Sequence, residues 1–259
     1  MGGGGFTMEP VGGALDELVL GLTPRPVPRI CFLPTASGDP NEQIARFHAA
    51  FADRPCEPTH LSLFRLGQHP VDLRTHLLEQ DLIYVGGGSM RNMLAIWRAH
   101  GLDEILREAW EHGTVLAGLS AGAMCWFEGG ITKSTGPPEP IAGLGLLPGS
   151  LTVHADGEPE RLPSWLEAVR SGALPGGWAA DDGVGLLFRE GALERVVSSR
   201  PVATALRVDA VEGELVRRRI TPELLADHRP GEPPDVDEDV RELRRVARLR
   251  GAHGARPWR

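Results

Sequence analysis

The chain of 259 residues is 41% hydrophobic, which is enough to bury the core of at least one domain. Its formal net charge of −8 argues against nucleic-acid binding as the main activity, and no apolar run approaches the about 20 residues that a membrane span needs. Three separated cysteines without a C-x-x-C pair indicate reduced thiols rather than a disulfide or zinc framework. Because no secretory leader pattern follows Met1, a soluble cytoplasmic protein is predicted.

The chain is predicted to divide into two parts. Residues 1–229 are expected to form a single α/β hydrolase-type domain, and residues 230–259 a proline-rich acidic linker followed by an arginine-rich tail. The glycine-rich start, residues 2–5, is only weak evidence for a phosphate-binding loop, because no complete phosphate-loop motif is present.

In chain order, strand and helix patterns alternate through the first half of the sequence. Helices are predicted at 15–22, from Asp39 as N-cap to residue 51, at 71–78, from Ser89 as N-cap to about His100, and from Asp103 as N-cap to 112. Strands are predicted at 29–35, 59–63, 81–85 and 114–118. The alternation predicts a doubly wound, mostly parallel sheet with helices on both faces.

The second half has a different pattern. Residues 128–150 are predicted to be loop-rich, and a brief strand at 151–154 ends in His154. A helix at 162–169 follows, and then three short strands at 183–188, 193–198 and 203–208. These last strands are expected to form antiparallel pairs at one edge of the sheet.

The stretch Gly118-Leu-Ser-Ala-Gly122 follows an apolar strand and opens an apolar helix. In this G-x-S-x-G pattern the glycines permit a sharp strand-to-helix turn, which raises the hydroxyl of Ser120 above the carboxyl end of the sheet. The backbone N–H of Ala121 then points to where an oxyanion would form. Since ligands of such sheets bind at the carboxyl ends of the strands, Ser120 and the Gly86–Ser89 segment are expected on the same rim.

A serine nucleophile needs a base and an acid that orients the base. Among the nine histidines, His154 is placed at a strand end after the serine, which makes it the candidate base. Four carboxylates remain open as the orienting acid: Glu128, Glu139, Asp156 and Asp182.

Five stretches, taken together, resemble the peptidase E (aspartyl dipeptidase) and cyanophycinase family of serine peptidases. They are Tyr84–Gly88, Asn92–Trp97, Ala117–Gly122, Gly143–Pro148 and His154–Glu158, and they occur in the expected order. The resemblance implies a class I glutamine-amidotransferase-like α/β fold, and cleavage of short peptides after an N-terminal aspartate without metal or cofactor. It also implies that Ser120 is the nucleophile, His154 the general base, and Gly88 and Ala121 the oxyanion-hole donors, with Arg161 and Ser89 as candidate substrate contacts. A monomer or a homodimer is expected.

Three departures from the family pattern lie around the expected site: Ser89-Met90, Lys133 and Ala155. Lys133 stands where relatives usually carry an aspartate, so Glu128 is predicted to be the third member of the triad. The sequence thus predicts a serine hydrolase of Asp-X dipeptide-like amides. Two alternatives stay open: a specialised amide hydrolase or acyltransferase, and a catalytically impaired binding protein.

Overall fold

The structure is a computed structural model, and it describes residues 1–9 and 13–225. The predicted linker and arginine-rich tail at 230–259 lie outside the described residues. Within the described ranges, no helix combines the length and the apolar character that crossing a membrane requires.

The helices and strands are numbered here in chain order. The helices are α1 (Ala14–Gly21), α2 (Asn41–Phe51), α3 (Leu73–Leu78), α4 (Met90–His100), α5 (Leu102–Glu111), α6 (Ala121–Met124) and α7 (Arg161–Arg170). The strands are β1 (Arg29–Leu33), β2 (Glu57–His60), β3 (Leu82–Val85), β4 (Val115–Gly118), β5 (Phe127–Thr132), β6 (Glu139–Ala142), β7 (Leu147–Thr152), β8 (Gly177–Ala180), β9 (Val184–Arg189), β10 (Ala192–Ser198), β11 (Ala205–Val211), β12 (Glu214–Ile220) and β13 (Glu223–Leu224).

The first half of the chain forms a parallel sheet of four strands in the order β2-β1-β3-β4. Successive side chains of β1 point to opposite faces, and both faces are covered. Ile30 and Phe32 pack in a core with α2, whereas Cys31 and Leu33 pack in a core with α4 and α5. The predicted α/β architecture, a parallel sheet with helices on both faces, is therefore confirmed for this half.

The second half forms a mixed six-stranded sheet in the order β12-β11-β8-β7-β5-β6 and a three-stranded sheet in the order β13-β10-β9. The prediction that residues 128–150 are loop-rich was wrong, because they contain most of β5, all of β6 and the start of β7. Strand β5 was not recognised because its glycines carry little strand signal. At Gly130 a Cβ would lie 2.6 Å from the carbonyl oxygen of Leu151 on β7, so glycine permits the two strands to approach closely.

The helix caps were predicted correctly in one of three cases. Ser89 caps α4, and its side chain accepts a hydrogen bond from the Asn92 N–H at 3.2 Å. Asp103 lies in the first turn of α5, which begins after Gly101 as N-cap. Asp39 does not cap α2, whose N-cap is Pro40. It has a positive φ of 55°, and its carboxylate accepts hydrogen bonds from Ser62 Oγ and from the Phe64 N–H in the loop after β2. Asp39 therefore ties together the loops that follow β1 and β2.

Candidate active site

Ser120 lies between β4 and α6 in a backbone conformation that is unusual for a residue with a side chain. Its φ is 52° and its ψ is −112°. The close packing explains the flanking glycines: a Cβ at Gly118 would lie 1.9 Å from Gly122 O, and a Cβ at Gly122 would lie 2.4 Å from Val85 O. The Ser120 N–H also donates to the carbonyl oxygen of Met1 at 3.1 Å. The turn therefore holds Ser120 at the carboxyl end of the parallel sheet.

The structure brings His154 to Ser120. Ser120 Oγ lies 2.8 Å from His154 Nε2, although the two residues are 34 positions apart in the chain. His154 follows β7 of the mixed sheet, has a positive φ of 56° and is only 9% exposed. The predicted serine–histidine contact is therefore present.

The acid that contacts His154 is Asp182. Its Oδ1 lies 2.5 Å from His154 Nδ1, and Asp182 is 4% exposed in the turn between β8 and β9. Since a carboxylate only accepts hydrogen bonds, Nδ1 carries the proton and Nε2 is left to accept one from Ser120 Oγ. The three side chains form one continuous chain of hydrogen bonds.

This arrangement corrects the prediction of Glu128 as the third member. Glu128 Oε2 instead accepts the N–H of Gly149 at 2.9 Å. Two other candidates are also engaged elsewhere: Glu139 pairs with Arg91, and Asp156 accepts the backbone N–H of Asp182. The sequence could not rank the four carboxylates, because their distances from His154 depend on how the strands of the mixed sheet are ordered.

The two predicted oxyanion donors flank the serine. Ala121 is the first residue of α6, and Gly88 ends the loop that follows β3. Neither N–H makes a hydrogen bond to another group of residues 1–9 and 13–225, so both are available to a ligand. Gly87, which was not among the predicted site residues, also lies close to the serine: a Cβ there would lie 3.3 Å from the Cβ of Ser120. The loop that follows β3 thus lies against Ser120.

Gly88 itself cannot carry a side chain in this loop. Its φ is +136°, and an added Cβ would lie 2.2 Å from Ala36 O in the loop after β1. The neighbouring Ser89 N–H donates to the same carbonyl oxygen at 2.7 Å. Since the Ser89 hydroxyl also caps α4, the prediction that this side chain contacts substrate now competes with a structural role.

Arg161 is buried rather than exposed, and its guanidinium is already paired. Both oxygens of Glu158 accept from its Nη2 at 3.2 Å, and Ile131 O accepts from Nη1 at 2.7 Å. The prediction that Arg161 binds a substrate carboxylate is not supported, because such a ligand would have to displace Glu158.

Glu158 is the centre of a charged cluster beside His154. Lys133 Nζ lies 3.4 Å from Glu158 Oε2, and the Glu158 N–H donates to the backbone oxygen of His154 at 2.9 Å. Burial alone would raise the pKa of Glu158, but the nearby positive charges, that of Arg161 above all, hold that pKa below its usual range. The positive charge that Lys133 introduces at this rim is therefore partly neutralised by Glu158.

The glycine-rich start of the chain packs against the acid of the site. A Cβ at Gly2 would lie 2.4 Å from Asp181 O, and a Cβ at Gly3 would lie 2.4 Å from Asp182 Oδ1. The Gly3 carbonyl also accepts the N–H of Gly183 at 2.8 Å. Close packing against Asp181 and Asp182 accounts for Gly2 and Gly3, and no phosphate-binding role is needed to explain these two glycines.

A buried carboxyl group lies beneath this glycine segment. Asp16 is 1% exposed, and its Oδ1 accepts the hydroxyl of Tyr84 at 3.0 Å. Burial, followed by the nearby carboxylate of Glu9, raises the pKa of Asp16 to about 7. Asp16 therefore takes up a proton more readily than an exposed aspartate.

The fold and the site together define a class of protein: an α/β hydrolytic enzyme in which a strand-to-helix turn presents a serine to a histidine–aspartate pair. Comparisons with known proteins agree. The model of "Peptidase family S51" matches residues 1–196. An "Uncharacterized peptidase YgaJ" of Bacillus subtilis (strain 168) is 50% identical over 215 residues, which are 83% of this chain and 93% of that protein.

Two further similarities are weaker. A crystal structure of a peptidase from an acI-B1 Actinobacterium superposes with a TM-score of 0.63 over 83% of this chain and 96% of that chain, at 18% identity, and so supports the fold alone. The imidazole glycerol phosphate synthase subunit HisH of Geobacillus thermodenitrificans (strain NG80-2) is 38% identical over 88 residues, which are 32% of this chain and 39% of that protein.

The chain belongs to peptidase family S51. It is a serine-type peptidase, and the resemblance to peptidase E that its five motifs indicated is confirmed.

Proposed function

We propose that this peptidase hydrolyses small peptides of the Asp-X dipeptide type, with Ser120 as nucleophile, His154 as general base and Asp182 as the acid that orients the base. One observation carries the assignment of roles. Ser120 Oγ, both ring nitrogens of His154 and the carboxylate of Asp182 form a single hydrogen-bonded chain, with contacts of 2.8 and 2.5 Å.

In this proposal Ser120 Oγ attacks the carbonyl carbon of the scissile amide while His154 Nε2 takes the hydroxyl proton. The N–H groups of Gly88 and Ala121 donate to the oxyanion of the tetrahedral intermediate. His154 then passes its proton to the leaving amine, and an acyl-enzyme remains on Ser120. A water molecule gives a proton to His154 and attacks the acyl carbon; His154 then returns that proton to Ser120 Oγ as the bond between Oγ and the acyl carbon breaks, which releases the acid and restores the serine. Asp182 stabilises the imidazolium form of His154 throughout.

The preference for an N-terminal aspartate rests on the family resemblance. One structural observation favours a different substrate: the guanidinium of Arg161 is occupied by Glu158 and by Ile131 O. A second candidate function is therefore a specialised amide hydrolase or acyltransferase whose acyl group carries no carboxylate. The contacts of His154 with Ser120 and Asp182 count against the third hypothesis, an impaired binding protein, because they are the contacts that a serine triad requires.

A substrate panel with one active-site variant tests these roles. Asp-X, Asn-X, Glu-X and Ala-X dipeptides are offered to the wild type, to Ser120→Ala and to Ser164→Ala. Ser164 is the matched control, because its hydroxyl in the wild type donates to Glu160 O at the start of α7. We expect wild-type turnover of Asp-X, no turnover by Ser120→Ala, and unchanged turnover by the control. Unchanged hydrolysis by Ser120→Ala would refute the assignment of Ser120 as the nucleophile. Turnover of uncharged acyl groups, with burst formation of an acyl-enzyme, would favour the second candidate.

A further inference from the structure

Two charged side chains hold the backbone of Asp182 from opposite sides. Asp156 Oδ1 accepts the N–H of Asp182 at 2.9 Å, and Arg200 Nη1 donates to the carbonyl oxygen of Asp182 at 3.1 Å. Arg200 Nη1 also donates to Asp156 Oδ2 at 2.9 Å. The two side chains and the backbone of Asp182 thus form a closed set of three hydrogen bonds, which we call the Asp156–Arg200 clamp.

The clamp joins the turn that carries the base to the turn that carries the acid. Asp156 lies two residues after His154, in a turn whose Gly157 and Glu158 N–H groups donate to His154 O at 3.1 and 2.9 Å. Gly183 makes room on the other side: a Cβ there would lie 2.8 Å from both Cγ and Cδ of Arg200. The absence of that Cβ lets the arginine stem pass over the turn and reach Asp182.

We propose that Asp156 and Arg200 are positioning residues, which hold the Asp182 carboxylate at Nδ1 of His154 without touching the substrate. This inference rests on the proposed function of the Ser120, His154 and Asp182 side chains. It assigns to Asp156 a role different from that of orienting acid, because its carboxylate contacts the backbone of Asp182 and the guanidinium of Arg200.

The clamp is expected to matter more for the rate than for stability. The side chains of Arg200 and Asp156 are 45% and 31% exposed, and partly exposed ion pairs contribute little to folding. Misplacing a catalytic group by about 1 Å, in contrast, can cost about 10²-fold in rate. Loss of either side chain should therefore lower kcat by up to about 10²-fold, with little change in KM or in melting temperature.

Two variants of opposite charge separate positioning from simple electrostatics. Asp156→Ala removes a negative charge near His154, and Arg200→Gln removes a positive one. If the clamp positions Asp182, the Asp182 carboxylate shifts away from His154 in each variant, and each variant loses kcat. The acid limb of the kcat/KM profile then moves to lower pH in each variant, because the imidazolium loses its partner. A purely Coulombic effect would move the limb to lower pH in Asp156→Ala and to higher pH in Arg200→Gln.

Three further measurements complete the test. Arg200→Lys should retain most of kcat, because one nitrogen, Nη1, makes both contacts of the clamp. The double variant should be no slower than either single variant, since the two side chains act as a unit. The downfield proton resonance of His154 Nδ1–H should shift in both single variants, which is a readout that needs no substrate.

Arg170→Gln serves as the control, because it removes an exposed arginine that pairs with Glu167 on α7. Opposite shifts of the acid limb, or full kcat in both single variants beside an inactive Ser120→Ala, would overturn the clamp and leave the proposed function intact. Activity in Ser120→Ala would instead overturn the proposed function itself.

Discussion

The assignment of Asp182 leads to a sharp prediction for the substitution Asp182→Asn. Asparagine has the same shape and can stay in the turn between β8 and β9, but its amide N–H₂ would face His154 Nδ1. A donor at that position favours the tautomer in which Nε2 carries the proton. His154 Nε2, which lies 2.8 Å from Ser120 Oγ, then cannot accept the hydroxyl proton of Ser120.

The magnitude follows from the burial of the pair. Asp182 is 4% exposed and contacts His154 at 2.5 Å, so water cannot readily replace the lost carboxylate. Loss of the correct tautomer in a serine triad costs about 10⁴-fold in kcat. At about 1.36 kcal/mol per factor of ten, this equals about 5.4 kcal/mol of transition-state stabilisation. KM should change little, because Asp182 is buried and its carboxylate contacts His154 on the ring nitrogen that does not face Ser120.

The assay measures kcat and KM for the best substrate of the dipeptide panel, for Asp182→Asn and for Glu128→Gln. Glu128 is the matched control, since its carboxylate accepts the N–H of Gly149 and a glutamine oxygen can do the same. The control should retain kcat to within about 2-fold, as is usual for exposed substitutions. Circular dichroism and thermal melting would establish that both variants fold.

If Asp182→Asn kept more than about a tenth of the wild-type kcat, Asp182 would not be the orienting acid, because that loss is far below the one expected for a triad acid. Loss of activity in Glu128→Gln alone would show that the orienting acid is the glutamate that the sequence analysis first favoured.

Three further predictions concern the loop, the pH dependence of stability and the thiols. Gly88→Ala should give a poorly folded or inactive protein, because the alanine Cβ would lie 2.2 Å from Ala36 O and the φ at this position is +136°. Soluble yield and melting temperature measure the folding defect, and a stable, active variant would contradict the prediction. Burial raises the folded-state pKa of Asp16 to about 7, so the folded state binds more protons than the unfolded state between about pH 4 and pH 7. The free energy of unfolding should therefore fall as pH rises through this window, by an amount on the order of 4 kcal/mol. Urea unfolding at several pH values should show that Asp16→Asn flattens this dependence; an equally steep slope in the variant would assign it to other groups. Iodoacetamide should leave activity unchanged, because burial raises the pKa values of the Cys31 and Cys125 thiols, and inactivation that follows alkylation of Cys125 would argue against a serine nucleophile.

Local chemistry made much of the fold predictable. The apolar runs of β1 and β3 are buried on both faces, as the parallel strands of an α/β sheet must be, and their alternation with amphipathic helices identified the first sheet. The turn at Ser120 was predictable because only glycine fits where Gly118 and Gly122 pack against backbone atoms. Strands β5, β6 and β8 were missed, since their glycines, prolines and alanines carry little strand signal, and β12 and β13, which follow the last predicted strand, were missed too.

The sequence by itself determined the turn at Ser120, the strand-end placement of His154 and the layered sheet, because each depends on residues that are close together in the chain. Only the tertiary structure decided which carboxylate serves the histidine. His154 and Asp182 are 28 residues apart, and Asp156 and Arg200 are 44 apart. Contacts over such separations depend on the pairing of β8 with β7 and on the turns that follow these strands, and several carboxylates satisfy the same local pattern. Arg161 shows the same limit: the family resemblance made it a candidate substrate contact, whereas packing places its guanidinium against Glu158.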